Sequence, residues 1–453
     1  MLSPWRWVDA DEAREAGHGL REKVAPEEHA RHAVAAERPG VVEFVEAGNE
    51  GRLPELIGLR VARMAASPFG FLRGSAGLMG IDLSGGPVSG VNALLCGDAH
   101  AANFGLYGTA DGRIVMDIND FDDTVPGPWE WDLKRLAASL VVAGRVGGVS
   151  EKGCLRAARD AARAYRRALA HLAAEPFLQS WTALGDESVI GRAQADALTD
   201  DFAAAAKKAA GNTSARVAER VTHRSDEHGW RFVPDPPLLT AVDEATRAAV
   251  LAGLARYPET LRESRRELIS RYDPLDVAFR VVGTGSVGLR SYVVLLHGNG
   301  YEALILQVKQ AQPPSLGGPL GLRPAVHDGQ RIVEGARLVQ AESDILLGWT
   351  TIDGRSFIVR QFRNRKADID PAELGGDHLD DYGRLAGTLL ARAHTRSTDP
   401  RVLDGYCSWE SGDPHGKEFD RAIGHFAVAY ADQTERDHAE LVAAIRAGRL
   451  PSA

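Results

Sequence analysis

Two short segments concentrate the side chains able to do chemistry. Gly97-Asp98-Ala99-His100-Ala101-Ala102-Asn103 comes first, and Asp117-Ile118-Asn119-Asp120-Phe121-Asp122-Asp123 follows closely. Each stands at the end of an apolar run that reads as a strand, over 91–96 and 113–118. Paired as a small hairpin, those strands would bring Asp98, Asn103 and Asp120 into one cleft. Oxygen ligands of this kind suit Mg²⁺, which takes one or two carboxylates and completes its shell with water and phosphate oxygens. A carboxylate beside such a metal can also orient a hydroxyl nucleophile or accept its proton. His100 is a further candidate, as ligand or general base, with packing inside the loop as the plainer role. Asp and Asn also serve turns for their own sake. Two acidic segments behind two strands favour chemistry.

A second motif lies far along the chain. Gly283-Thr284-Gly285-Ser286-Val287-Gly288 is a GxGxxG, but Ser291-Tyr292-Val293-Val294-Leu295-Leu296 follows it and reads as a strand. A dinucleotide-binding turn opens a helix instead, so that reading is disfavoured. No GxxxxGK[ST] occurs. A glycine loop between two strands, then a third strand carrying a lysine, is the arrangement that covers ATP phosphates in kinases. Lys309 would be that lysine, and Glu334, with Glu342 as the fallback, its carboxylate partner on the next helix. The plain alternative is a hairpin with a glycine turn and an edge lysine.

The first segment resembles the HGDxHxxN catalytic loop of aminoglycoside phosphotransferases and choline kinases, with Cys96 in place of the first His. The second resembles their IDFxD metal loop. The resemblance implies Asp98 as the catalytic carboxylate, Asn103 and Asp120 as Mg²⁺ ligands, and Asp122 or Asp123 in support. Over about residues 40–445, the stretches SPFGFLRG, CGDAHAANFG, NDFDDTVPGPWEWDLKRLAASL and YADQ are similar to the DUF2252 family of uncharacterised bacterial proteins. Kinases place the glycine loop before the catalytic loop, whereas here it comes after. The implied fold is therefore α+β, two-lobed and protein-kinase-like but circularly permuted, with a mostly helical large lobe and a small antiparallel-sheet lobe. In it Gln361 opens a hinge over 361–364 that touches adenine, and the helix over 379–396 precedes the catalytic loop.

The elements that must position these groups follow from periodicity. Residues 1–66 read as an N-terminal helical arm, with 1–50 as short helices or a loosely held segment. Residues 67–270 read as the helical region carrying both acidic loops, and 277–365 as the sheet-rich unit with the glycine loop. A helical tail, 366–453, completes the large lobe. Among other residues, Arg73 is a candidate phosphate or substrate contact or an ordinary surface arginine. Trp129 and Trp131 read as core anchors, Asp132 as a structural carboxylate pairing with a loop amide or a cation, and the arginines at 156, 159, 163, 166 and 167 as a solvated basic run, with an acidic substrate or partner as the sharper option.

Composition bounds the function. The 453 residues include 53 basic and 62 acidic side chains, a net charge of −9, so a globally basic nucleic-acid binder is excluded. Cys96, Cys154 and Cys407 form no CxxC, and no apolar run approaches the roughly 18 residues of a membrane span. A cytoplasmic, membrane-free protein is expected. The expected function is a Mg²⁺·ATP-dependent phosphotransferase whose partners are a nucleotide and a small-molecule hydroxyl acceptor that the residues do not name. A nucleotide-binding regulator (a pseudokinase) and a metal-dependent phosphoesterase using Asp98, His100 and Asp120 are the alternatives.

Overall fold

Four short strands carry the two acidic segments, and they pair differently from the hairpin expected. They are β1 (Asn92–Leu95), β2 (Phe104–Gly108), β3 (Ile114–Ile118) and β4 (Val125–Pro128). β1 pairs antiparallel with β4, and β2 with β3. The chain therefore crosses from one ladder to the other through residues 96–103 and returns through 119–124. Two crossings in opposite directions between the same two ladders must lie side by side, and a backbone bond from Asn119 N–H to Asn103 O (2.8 Å) joins them. Sequence periodicity overlooks β2 because all five of its residues are buried and none alternates.

This computed structural model describes residues 8–182, 188–225, 229–281, 283–300, 302–362, 365–408 and 414–452. Helices Glu130–Val146, Glu151–Ala174, Gly376–Thr395 and Pro414–Arg446 build the large body. Leu133, Leu136, Leu140, Tyr165, Leu385, Leu389, Phe419 and Phe426 share its core, with Trp129 stacked on Tyr165. Fully burying each such side chain contributes about 1.5–3 kcal/mol. The basic run is not simply solvated: Arg156 pairs with Asp377, and Arg163 and Arg166 with Asp420. Nor is the N-terminal segment loose. Val41, Val45, Val61 and Met64 pack with Leu441, Ala444 and Leu450 near the C-terminus.

Beyond a short hairpin, β5 (Thr222–Ser225) and β6 (Gly229–Phe232), come β7 (Leu239–Ala241), β8 (Asp273–Arg280), β9 (Ser291–His297), β10 (Ala303–Gln310), β11 (Gly348–Ile352) and β12 (Arg355–Gln361). These six form one antiparallel sheet in the order β11-β12-β10-β9-β8-β7. Both faces are covered. Val293, Leu295 and Ile305 face helix Ser214–Val221 and its hairpin, while Tyr292, Val294, Leu304, Leu306 and Val308 face helix Glu244–Arg256 and Tyr257. The sheet unit therefore begins near residue 214 rather than 277. Apolar runs with no polar alternate need cover on both sides, and the helices over 214–269 supply it. β13 (Ala367–Asp368) joins β2 and ties the end of this unit back to the acidic strands.

Among the described residues, no helix is long and apolar enough to cross a membrane. All three cysteines are free and buried.

Candidate active site

The loop 97–103 is held by three buried side chains from two helices. Asp132 accepts from the Cys96 and Gly97 amides at 2.8 and 3.1 Å. Ser139 Oγ accepts from Ala101 N–H at 2.8 Å, and the Tyr382 hydroxyl donates to Ala101 O at 2.8 Å and Phe104 O at 3.2 Å. His394 stands 3.4 Å from Asp132 and 2.8 Å from the Tyr165 hydroxyl, so it supports the loop from behind. Gly97 has φ +83, and a Cβ there would sit 2.0 Å from Asp123 O. Only glycine allows the two acidic loops to touch at this point. Gly97→Ala is therefore expected to lower stability by about 1–3 kcal/mol, read as a fall in denaturant midpoint. The same substitution is expected to separate the loops.

Asp98 projects from this loop into the cleft with its side chain 19% exposed. Its Oδ1 accepts from Arg135 Nε at 2.6 Å, and Arg135 also donates to Leu72 O at 2.7 Å. Burial raises the Asp98 carboxyl above the usual range, against the pull of Arg135. His100 is buried, with Nε2 3.7 Å from Asp98 Oδ2. Burial, helped by the Arg73 and Arg135 charges, holds its imidazole neutral. Asn103 donates its amide hydrogens to Asp98 O (3.0 Å) and Asp120 O (3.2 Å). That fixes the amide nitrogen and leaves Oδ1 as the atom that could accept a hydrogen bond or meet a cation.

Lys309 comes from β10 to meet this cluster. Its ammonium pairs with Asp122, and Asp120 Oδ2 lies 4.0 Å away. The lysine side chain is 4% exposed. Burial would push Lys309 down, but the two carboxylates more than offset it and hold the ammonium charged. The carboxylates divide the effect. Burial opposes ionisation of Asp120, yet Lys309 and Arg360 keep it down at about 2. Burial and the Asp120 charge push Asp122 up to about 6. Asp123 turns aside and accepts from Ser315 N–H at 2.6 Å.

Glu334 does not meet Lys309. It lies on the exposed face of helix Asp328–Val339 and accepts from Gln330 at 2.8 Å. Ile332, Val333, Ala336 and Val339 are the buried positions of that helix, and residue 334 falls opposite them at 3.6-residue periodicity. Glu342 is no substitute: its carboxylate lies 4.0 Å from Arg113. The helix contributes Arg331 instead, which donates to the Asp122, Thr124 and Gln312 carbonyls at 2.8–2.9 Å and clasps the second acidic loop.

Gly283, Gly285 and Ser286 border the same cleft, with Ser286 Oγ 3.5 Å from Asp122. Gly288 has a different task. Its φ is +86, its carbonyl accepts from Leu53 N–H at 2.8 Å, and a Cβ would press on Arg52. It is where the N-terminal segment docks on the glycine turn. Gln361 reaches the cleft wall, but both its backbone N–H and its side-chain amide donate to Asp344 at 2.7 Å. It has no backbone donor left for an adenine. Arg363 and Asn364 of the expected hinge lie outside the described residues.

The cleft measures about 1120 Å³ and is bordered by both the sheet unit and the helical body. Arg52, Arg60, Arg360 and Lys366 also border it. None carries a local motif. Arg135 stands in helix Glu130–Val146, whose residues from Glu130 to Gly144 are all buried, so its charge there requires a partner. Asp120, Asp122 and Asn103 offer only oxygen donors to the cleft, the donor type that Mg²⁺ takes, although among the described residues no three His, Cys, Asp or Glu side chains are grouped to hold a metal.

Fold and site together define a mixed α+β protein, mostly helical with antiparallel sheets, whose main cleft is lined by carboxylates and cations. The chain belongs to the DUF2252 family, described as an uncharacterized protein conserved in bacteria, whose profile matches residues 52–444. Neither the curated proteins nor the solved structures contain a match.

Proposed function

We propose that the protein is a kinase-like, Mg²⁺·ATP-dependent phosphotransferase acting on a small-molecule hydroxyl. One observation carries the reading: Lys309, more than 180 residues along the chain from Asp122, pairs with it in a cleft that Asp98, Asn103 and Asp120 share. A phosphoesterase built on the early loops alone has no use for that lysine. The sheet order adds support. The glycine turn joins β8 to β9, the lysine lies on β10, and a helix stands between β10 and β11, the sequence of parts that covers ATP phosphates in kinases.

Lys309 would hold phosphate oxygens as a point charge, and the amides of the 283–286 turn would cradle them. Asn103, Asp120 and Asp122 would hold Mg²⁺, which supplies charge neutralisation at the transferring group. Asp98 keeps Oδ2 free to orient the acceptor hydroxyl and accept its proton while Arg135 fixes Oδ1. Catalysis would then be positioning and electrostatics. The Arg135–Asp98 pair also favours a second reading, a nucleotide-binding regulator in which Asp98 is locked.

A nucleotide panel in thermal melting, with and without Mg²⁺, tests the class. A clear upward shift with ATP that requires Mg²⁺ is expected. At a hundredfold excess over Kd it corresponds to about 2.7 kcal/mol of added stability. No Mg²⁺-dependent shift with any nucleoside triphosphate would remove the proposal.

A further inference from the structure

Eight lysines and arginines line the cleft against six carboxylates, in a chain whose net charge is −9. Four of those carboxylates, at 98, 120, 122 and 123, belong to the acidic loops. Four of the cations, Arg52, Arg60, Arg63 and Arg73, come from the N-terminal segment. Arg60 is only 3% exposed, yet its Nε is buried without a hydrogen-bond partner and its Nη1 meets only the neutral Asn49 side chain at 2.7 Å. Arg52 donates to two backbone carbonyls, of Gly48 (2.7 Å) and Val287 (2.5 Å). Arg73 Nε is likewise buried and unpartnered. Among the described residues, no carboxylate lies within ion-pairing distance of any of the three. By contrast, the buried side chains of Arg38 and Arg135 each end on a carboxylate.

Burial of a guanidinium without a counter-charge is costly. Burial and the nearby Arg52 push Arg60 down to about 9, although it stays protonated at neutral pH. The missing counter-charge must come from something that enters the cleft. Arginine forks match the oxygens of phosphate. Arg73 is near enough to Asp98 to influence its charge, Arg52 is near enough to Asp122 and Asp123 to feel theirs, and Arg60 is near Arg52, which sets the three in the cleft rather than at a remote surface.

We propose that Arg52, Arg60 and Arg73 bind a phosphate group on the acceptor, so that the acceptor is an anionic, already phosphorylated small molecule. This rests on the phosphotransferase reading. It parts from the likeness to aminoglycoside phosphotransferases, whose acceptors are cationic. The other source of the same chemistry is the nucleotide's own phosphate chain, and the test separates the two.

Inorganic phosphate is titrated calorimetrically into the full-length protein, alone and with saturating Mg²⁺ and a non-hydrolysable ATP analogue. Saturable phosphate binding is expected that persists beside the analogue and weakens about tenfold in Arg60→Gln and in Arg73→Gln. Arg60→Lys, which keeps the charge but loses the fork, should fall between. Circular dichroism checks folding. Should Arg60→Gln not fold, the half-buried Arg73 carries the comparison. The inference is overturned by no phosphate binding, by unchanged binding in the folded variants, or by phosphate displaced by the analogue, which would assign the arginines to the nucleotide. Arginine-dependent phosphate binding in a protein that ignores the analogue would instead sink the phosphotransferase reading and leave the anion site standing.

Discussion

Asp98→Asn should abolish turnover while leaving Mg²⁺·ATP binding close to that of the parent. The substitution keeps shape and the Gly97 turn, removes the negative charge that Arg135 faces, and takes away the oxygen able to accept a proton. A positioned general base contributes about 10²–10⁴-fold, so kcat should fall by that factor. KM for ATP should hardly move, because Asp98 pairs with Arg135 while Lys309 pairs with Asp122. Single-turnover ADP formation beside calorimetric ATP binding separates the effects. If the variant turns over at the parental rate, Asp98 is not the base and the locked-regulator reading gains. If it loses ATP binding as well, Asp98 belongs to the nucleotide site and its role is misassigned.

Lys309→Met should have two separable consequences. Removing a charge-assisted contact to phosphate oxygens lowers Mg²⁺·ATP affinity by about 10–100-fold. It also leaves Asp120 and Asp122 facing each other without their cation. Breaking a buried pair costs about 3–5 kcal/mol. The carboxylates here keep 46% and 26% side-chain exposure, so a loss nearer about 2 kcal/mol is expected. Mg²⁺ alone should then raise the melting temperature of the variant more than that of the parent, since the ion can take the place of the ammonium between two oxygens. Equal Mg²⁺ response in both proteins would show that these carboxylates are not the metal ligands.

Much of the site was readable before any fold was known. That Asp98, Asn103 and Asp120 line one cleft was expected because oxygen donors at short spacing behind apolar strands are a local pattern in the chain. Lys309 was readable for a similar reason, at a fixed place in a strand after a glycine turn. Even the failure of Glu334 was present in the apolar stripe at 332, 333, 336 and 339, which turns residue 334 outward. The boundary of the sheet unit was less visible, since helices that cover a sheet differ little in composition from those that pack on other helices.

What no local pattern could supply is adjacency across long intervals of chain. The pairing of β1 with β4 rather than with β3 makes the two acidic loops neighbours, and it depends on which ladder each strand can complete once its other face is buried. The closing of Lys309 onto Asp122, and the meeting of Arg52, Arg60 and Arg73 with Asp98 in one cleft, depend on how the sheet unit and the N-terminal helices settle on the helical body. Charges distant in sequence acquire meaning only when packing removes the water between them. There an ammonium between two carboxylates is stabilised, and a guanidinium with none becomes a place for a ligand.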